Sequence, residues 1–271
     1  MPHACRFELQ EVRYDAEKYP YLLFNTQKEW LDCAGTPAQE AATPVSFPCL
    51  KKITAMPQVA PLVKQHVLNV FVTGSQPGIT PYCQRNDGPG CFSTYAGYVG
   101  SAGPWFAQPS KTWSEDAVTE NWMFLSWDQF STAVMNKPPW NGGAVTFAHE
   151  VGHYVGLMHT HQGGCAGDEE TAADAVPDTP LNENIAAWAG PRRLTKLAAW
   201  CTAFRNGKQP DPKDLLQFNS CESPYGVDNV FNLLSYLPDE CCMLLTTNQI
   251  ARMQWAIAKF RPKMMTKYAV K

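Results

Sequence analysis

The chain has no apolar run approaching the roughly 18 residues that would read as a membrane span. It has no excess of positive charge either: 22 Lys and Arg stand against 25 Asp and Glu, for a net charge of −3. The first absence removes a helical span and the second leaves no basic patch for nucleic acid, so neither partner is favoured. None of the ten cysteines forms a CxxC pair, which argues against zinc-ribbon and redox sites. There is no internal repeat. The N-terminal stretch MPHACRFELQEVRYD lacks the apolar segment of a secretory leader and begins at once with alternating, charged sequence.

What is present is a chain of 271 residues, 45% hydrophobic and 17% charged, long enough for one large domain or two lobes around a cleft. Its cysteines, Cys5, Cys33, Cys49, Cys83, Cys91, Cys165, Cys201, Cys221, Cys241 and Cys242, are even in number and scattered, which reads better as disulfides than as free thiols. Disulfides persist in secreted or lumenal proteins. A secreted protein whose leader lies upstream of this sequence is therefore the expectation.

CRFELQEV alternates like a half-buried strand, HVLNVFVTG (His66 to Gly74) is a β-branched run ended by glycine, and ENWMFLSWDQF (Glu120 to Phe130) is an aromatic-rich strand candidate. KEWLDCAGTPAQEAATPVSFP reads as loop, and MPQVAPLVKQ as a short helix or turn. From Gln76 to Gly103 the chain is dense in Gly, Pro and Ser, with Cys83 and Cys91 near enough to close a small loop, and YAGYVG there is a candidate exposed strand. Gly163 to Val230 reads as mostly irregular, with short helices at NIAAWA and LTKLAAWCTAF. TTNQIARMQWAIAKF has Thr246 and Gln249 at capping-box spacing, followed by an apolar stripe at helical intervals, and predicts an amphipathic helix used for packing.

AHEVGHYVGLMHTHQGGC (Ala148 to Cys165) holds four of the six histidines. On a helix, His149 and His153 stand one turn apart on one face, near enough for two imidazoles to share a zinc ion. Glu150 follows the first of them directly, placed to take a proton from a zinc-activated water. His159 becomes a third ligand if the chain leaves the helix and doubles back at Gly156, a residue that tolerates positive φ. Three neutral ligands leave a tetrahedral position open, which is the mark of a catalytic rather than a structural site. The full HExxHxxGxxH pattern has a chance occurrence below about one in ten thousand chains. Histidines merely satisfied in a core would leave the positions of the glutamate and the glycine unexplained. His161 is read as a neighbour and not as a ligand.

HEVGHYVGLMH is the zinc-binding signature of the metzincin metallopeptidases. TFAHEVGHYVGLMHTHQGGC resembles the TxxHExGHxxGLxHTFxGGC segment of the pappalysin-like (M43) metalloproteases, and VPDTP, NLLSY and the closing TxxQxxRM extend the likeness over roughly His66 to Arg252. The resemblance implies that His149, His153 and His159 bind Zn2+, that Glu150 is the general base and acid, and that NLLSY is the Met-turn. It implies Tyr236 as the residue that stabilises the tetrahedral intermediate. Leu234 stands where the family has the turn methionine, an apolar floor beneath the histidines, so a modest change in packing is expected. The resemblance also implies the disulfides Cys165 with Cys221 and Cys201 with Cys241, leaving Cys242 as an extra. ADAVPDTP is similar to a loop that binds calcium in some members, which makes Asp174, Val176, Asp178 and Thr179 candidate Ca2+ ligands. Asp239 and Glu240 resemble the place of an acid at the floor of the S1′ pocket in some relatives. Family members begin with a further strand and a long helix ahead of the strand resembling CRFELQEV, and a start lacking both is expected here.

The sequence therefore predicts an α+β, metzincin-like zinc endopeptidase. Residues 1–159 form an N-terminal lobe of twisted mixed sheet and zinc helix, and residues 160–271 an irregular, disulfide-stapled C-terminal lobe with a terminal helix. The expected partner is a protein or peptide lying extended along the YAGYVG edge strand. A monomer is expected. The alternative is a catalytically impaired, zinc-binding relative that acts as a binding protein, against which Glu150 argues. A hydrolase of substrates other than peptides is a third reading.

Overall fold

A computed structural model describes residues 9, 11–12, 54–57, 59–73, 97–99, 121–126, 143–166, 174–221 and 226–264. The expected strand at CRFELQEV, apart from isolated positions, the expected loop KEWLDCAGTPAQEAATPVSFP and the Cys83 to Cys91 pairing lie outside these residues. Among the described residues the fold is a small mixed sheet with three α-helices and several single-turn 3-10 helices, one of them at Ala60–Leu62.

Strand β1 is Asn69–Thr73, β2 is Gly97–Val99 and β3 is Trp122–Ser126, in the order β1-β3-β2. β1 runs parallel to β3, with Asn69 opposite Trp122, and β2 runs antiparallel to it, with Val99 opposite Met123. β1 begins three residues later than the β-branched run predicts, and the reason is local. His66 takes a positive φ of 60°, turning the chain, and the Asn69 side chain then bridges the turn to the sheet: its amide donates to the carbonyls of Lys64 and Asn121, and its Oδ1 accepts from Lys64 N–H.

Helix α1, Gly143–Tyr154, carries the histidine motif. One face packs Val151, Tyr154 and Val155 onto Met123 of β3, with Leu68, Phe147, Met253 and Ile257 closing the same cluster. The helix stops at Gly156, whose φ of 99° few other residues adopt. Leu157 N–H reaches back to Gly152 O and Gly156 N–H to His153 O, the paired bonds of a glycine-capped helix end.

Helix α2, Ile185–Arg205, spans both short helices expected there, so the region is more ordered than its composition predicts. The two meet at a kink: Gly190 takes φ 71° immediately before Pro191, which lacks an N–H and disfavours helical geometry in the residue before it. Ile185, Leu194, Leu197 and Cys201 face a second core cluster with Phe218, Val230, Leu237 and Cys241. Disulfides join Cys165 to Cys221 and Cys201 to Cys241, while Cys242 is a buried free thiol. Helix α3, Thr247–Phe260, opens with the reciprocal capping box of Thr246 and Gln249. Its buried face returns to α1: Arg261, just past its end, is buried with its guanidinium 3.7 Å from the centroid of the Tyr154 ring.

Candidate metal centre

The glycine-capped end of α1 turns the chain so that His159 comes back beneath His149 and His153. The three Nε2 atoms lie 3.2, 3.1 and 3.0 Å from one another in pairs. The other ring nitrogen of His149 is 2.7 Å from Leu233 O, and that of His153 is 2.9 Å from Leu157 O. Carbonyl oxygens only accept, so both Nδ1 atoms carry the proton and both Nε2 atoms present a lone pair. Burial holds His149 down to about 4 and His153 to about 3, and His159 well below the ordinary imidazole value, so all three are neutral near pH 7. Neutral imidazole nitrogens aimed at one another repel unless a cation lies among them. Their separations are close to those set by a tetrahedral ion about 2.0–2.1 Å from each, and the donor set fits a divalent transition metal.

The segment Asn232–Tyr236 forms the floor. Its Leu233 carbonyl orients His149, its Leu234 carbonyl accepts Thr160 N–H at 3.3 Å, and the Ser235 hydroxyl is 2.7 Å from that of Thr160. Leu234 is fully buried against Gly152, where a Cβ would come within 3.1 Å of its Cδ2. The turn is itself held from α3. Asn232 and Gln249, both fully buried, exchange two amide hydrogen bonds of 2.8 and 3.2 Å, while Asn232 Oδ1 also accepts Leu234 N–H. The capping-box signal of Gln249 was legible in the sequence, but this second task was not. Nor was the link from Arg252 Nε to Gly156 O, 2.8 Å, which secures the turn leading to His159.

Glu150 is buried on the helix that carries His149 and His153, and burial pushes its carboxyl up to about 8. A cation held by the histidines opposes that effect and favours the carboxylate. The Tyr236 ring lies 5.8 Å from that of His149 and 4.5 Å from that of His159. Burial first, and the Glu150 charge second, push its phenol up to about 12, so it stays a hydrogen-bond donor. His161 stacks on His159 at 4.9 Å.

The remaining sequence candidates fall in two places. Asp174 accepts from Val176 N–H at 3.0 Å and lies 2.6 Å from the Thr179 hydroxyl, whereas Asp178 turns to α3, accepting from Thr246 Oγ1 and Asn248 N–H. Asp239 offers its carbonyl to Arg205, and Glu240 Oε2 is buried without a hydrogen-bond partner.

Comparison with known proteins bears on this arrangement directly. The M43 peptidase family model, described as pregnancy-associated plasma protein-A, matches residues 109–258, more than half of the chain. The chain belongs to the M43 peptidase family. Membership implies a bound metal, typically zinc, and among the described residues the three-histidine cluster fits one. It is similar to curated extracellular metalloproteases of fungi. Those of Pyricularia oryzae and Colletotrichum graminicola are each 33% identical over 116 residues, which is 43% of this chain and 31% of theirs. That of Podospora anserina is 34% identical over 107 residues, 40% of this chain and 27% of its own. The chain thus spans about a third of the length of the relatives it matches.

Proposed function

We propose that this M43 member is a secreted zinc endopeptidase, with His149, His153 and His159 as the metal ligands. The observation that carries the reading is the convergence of three neutral imidazoles, two of them on α1, with the buried carboxyl group of Glu150 on that helix. When bound, zinc supplies the Lewis acidity that makes water a nucleophile and polarises a peptide carbonyl. Glu150 takes the proton of the attacking water and passes it to the leaving amine. Tyr236 donates its phenol hydrogen to the carbonyl oxygen as that atom gains charge. A carboxylate is required for the first step, which places the working enzyme in the state where the positive centre outweighs burial at Glu150.

The substrate lies extended along β2, the end strand of the sheet among the described residues, antiparallel to β3 and packed beside α1. Glu240, with an unpaired buried oxygen, is the acid we assign to the S1′ floor, with Asp239 beside it; a basic residue at P1′ satisfies that oxygen. The two core clusters, one on the sheet and α1 and the other on α2 and the disulfides, support a reading as two lobes meeting at the histidines. The loop of Asp174, Val176, Asp178 and Thr179 is the candidate calcium site; calcium there would displace the hydroxyls of Thr179 and Thr246, and a calcium-dependent rise in Tm tests it. The fungal relatives are named extracellular, and the two disulfides are in keeping with secretion.

Cleavage of a denatured protein, measured with chelator and after zinc is restored, tests the activity, and the termini of the products report P1′. Activity confined to small esters or amides would reject the peptidase assignment.

A further inference from the structure

Two of the three ligand rings are oriented by main-chain carbonyls, Leu233 O for His149 and Leu157 O for His153. His159 is not. Among the described residues its hydrogen-bonding contacts are those of Nε2 with the other two histidines, and its Nδ1 meets no acceptor. A ligand imidazole without that second bond keeps its plane only if packing fixes it, because rotation of a histidine ring about its terminal torsion is soft.

Packing is what His159 has. The His161 ring lies over it at 4.9 Å and 15°, nearly parallel, and the Tyr236 ring meets it at 4.5 Å and 63°. His161 and Tyr236 also touch each other, at 4.9 Å and 53°, so the three rings form a closed set. The backbone holds this set together. Thr160, between the two histidines, is clamped by its N–H to Leu234 O and by its hydroxyl to Ser235, on the turn that carries Tyr236. His161 O accepts Gly164 N–H and closes the turn beyond. His161 brings its ring face rather than its polarity: Nδ1 is buried with no hydrogen-bond partner, and the ring lies outside the cluster of converging ligand nitrogens.

We propose that His161 is a positioning residue, which sets the ring plane of His159 and the seat of Tyr236 by stacking, in place of the hydrogen bond that orients the other two ligands. The proposal rests on the reading of the three histidines as metal ligands.

The test compares wild type, His161→Leu and His161→Phe as full chains. Leucine fills much of the space without a flat ring, and phenylalanine keeps the ring without the nitrogens. Cobalt(II) is titrated against a competing chelator, the visible spectrum of the cobalt form is recorded, and kcat and KM are measured on a peptide. His161→Leu should weaken cobalt binding about 10- to 100-fold, the usual effect of losing a residue that orients a ligand. It should also change the cobalt spectrum and lower kcat with little change in KM, and His161→Phe should restore all three. A leucine variant with wild-type affinity and spectrum, or a phenylalanine variant as impaired as the leucine one, overturns the proposal alone. Wild type that takes up no cobalt overturns the three-ligand reading and this proposal with it.

Discussion

His149 donates its Nδ1–H to the main-chain carbonyl of Leu233 at 2.7 Å, across 84 residues of sequence. This one bond joins the helix that carries His149 and His153 to the turn beneath them. It fixes the tautomer of His149 and the height of the turn together. Because the bond comes from the backbone, the turn's conformation is what has to be kept, and side chains in it act by holding that conformation.

Leu234 is the first case. It is fully buried against Gly152, where a Cβ would come within 3.1 Å of its Cδ2. Leu234→Met conserves volume and should change stability by less than about 1.5 kcal/mol. Leu234→Ala should cost about 2–5 kcal/mol. Urea denaturation of the zinc-loaded protein checks both values, and a methionine variant as destabilised as the alanine one would contradict this packing.

Asn232 and Gln249 should behave as a unit. Gln249→Ala leaves the Asn232 amide buried with half its partners, at a cost of about 1–3 kcal/mol, and zinc affinity should fall because the turn loosens. A double-mutant cycle with Asn232→Ala should give a coupling energy of at least about 0.5 kcal/mol. Simple additivity would show that the pair does not support the turn.

Gly156→Ala should be damaging for two separate reasons. The φ of 99° is strained for alanine, and the new Cβ would lie 2.6 Å from that of Ala256 on α3. The variant should lose zinc affinity and Tm together. Paired with Ala256→Gly it should recover in part, since only the contact is relieved.

Asp228 gives a pH signature. Burial pushes its carboxyl from 3.8 to about 6, although Ser220 N–H faces both of its oxygens. Between those values the folded chain holds more protons at this site than the unfolded one, so its contribution to stability is greatest below about pH 4 and falls as pH rises towards 6. Asp228→Asn removes the titration. The stability of wild type relative to the variant should therefore decline from pH 4 to 6 and then level off, as read from denaturation midpoints at each pH; a constant difference would contradict the account.

The site was legible where chemistry dictates spacing. HExxHxxGxxH specifies a helix, a glycine turn and three histidines within eleven positions, so local geometry brings the three rings together. The helix α3 was legible for a similar reason, since Thr246, Gln249 and the apolar stripe are local signals. What the sequence hid depends on long-range contact. Nothing local ties Leu233 to His149 or Gln249 to Asn232, and a buried amide pair reads as two ordinary polar residues. Helix α2 was legible as two short helices because Gly190 and Pro191 break its pattern locally, and the buried Leu194, Leu197 and Cys201 stabilise the second of them through tertiary packing. His161 was legible as a neighbour that is not a ligand, but its stacking on His159 was not, because stacking follows no spacing rule.

The central claim is that the buried carboxylate beside the histidines performs proton transfer for peptide hydrolysis. It is tested most directly by Glu150→Gln, assayed for zinc content and for cleavage of a denatured protein beside wild type. Both proteins should hold one zinc per chain, and the variant should cleave about 10²–10⁴-fold more slowly or not detectably. A zinc-loaded wild type no more active than the variant would contradict the account and leave a metal-binding relative without catalysis.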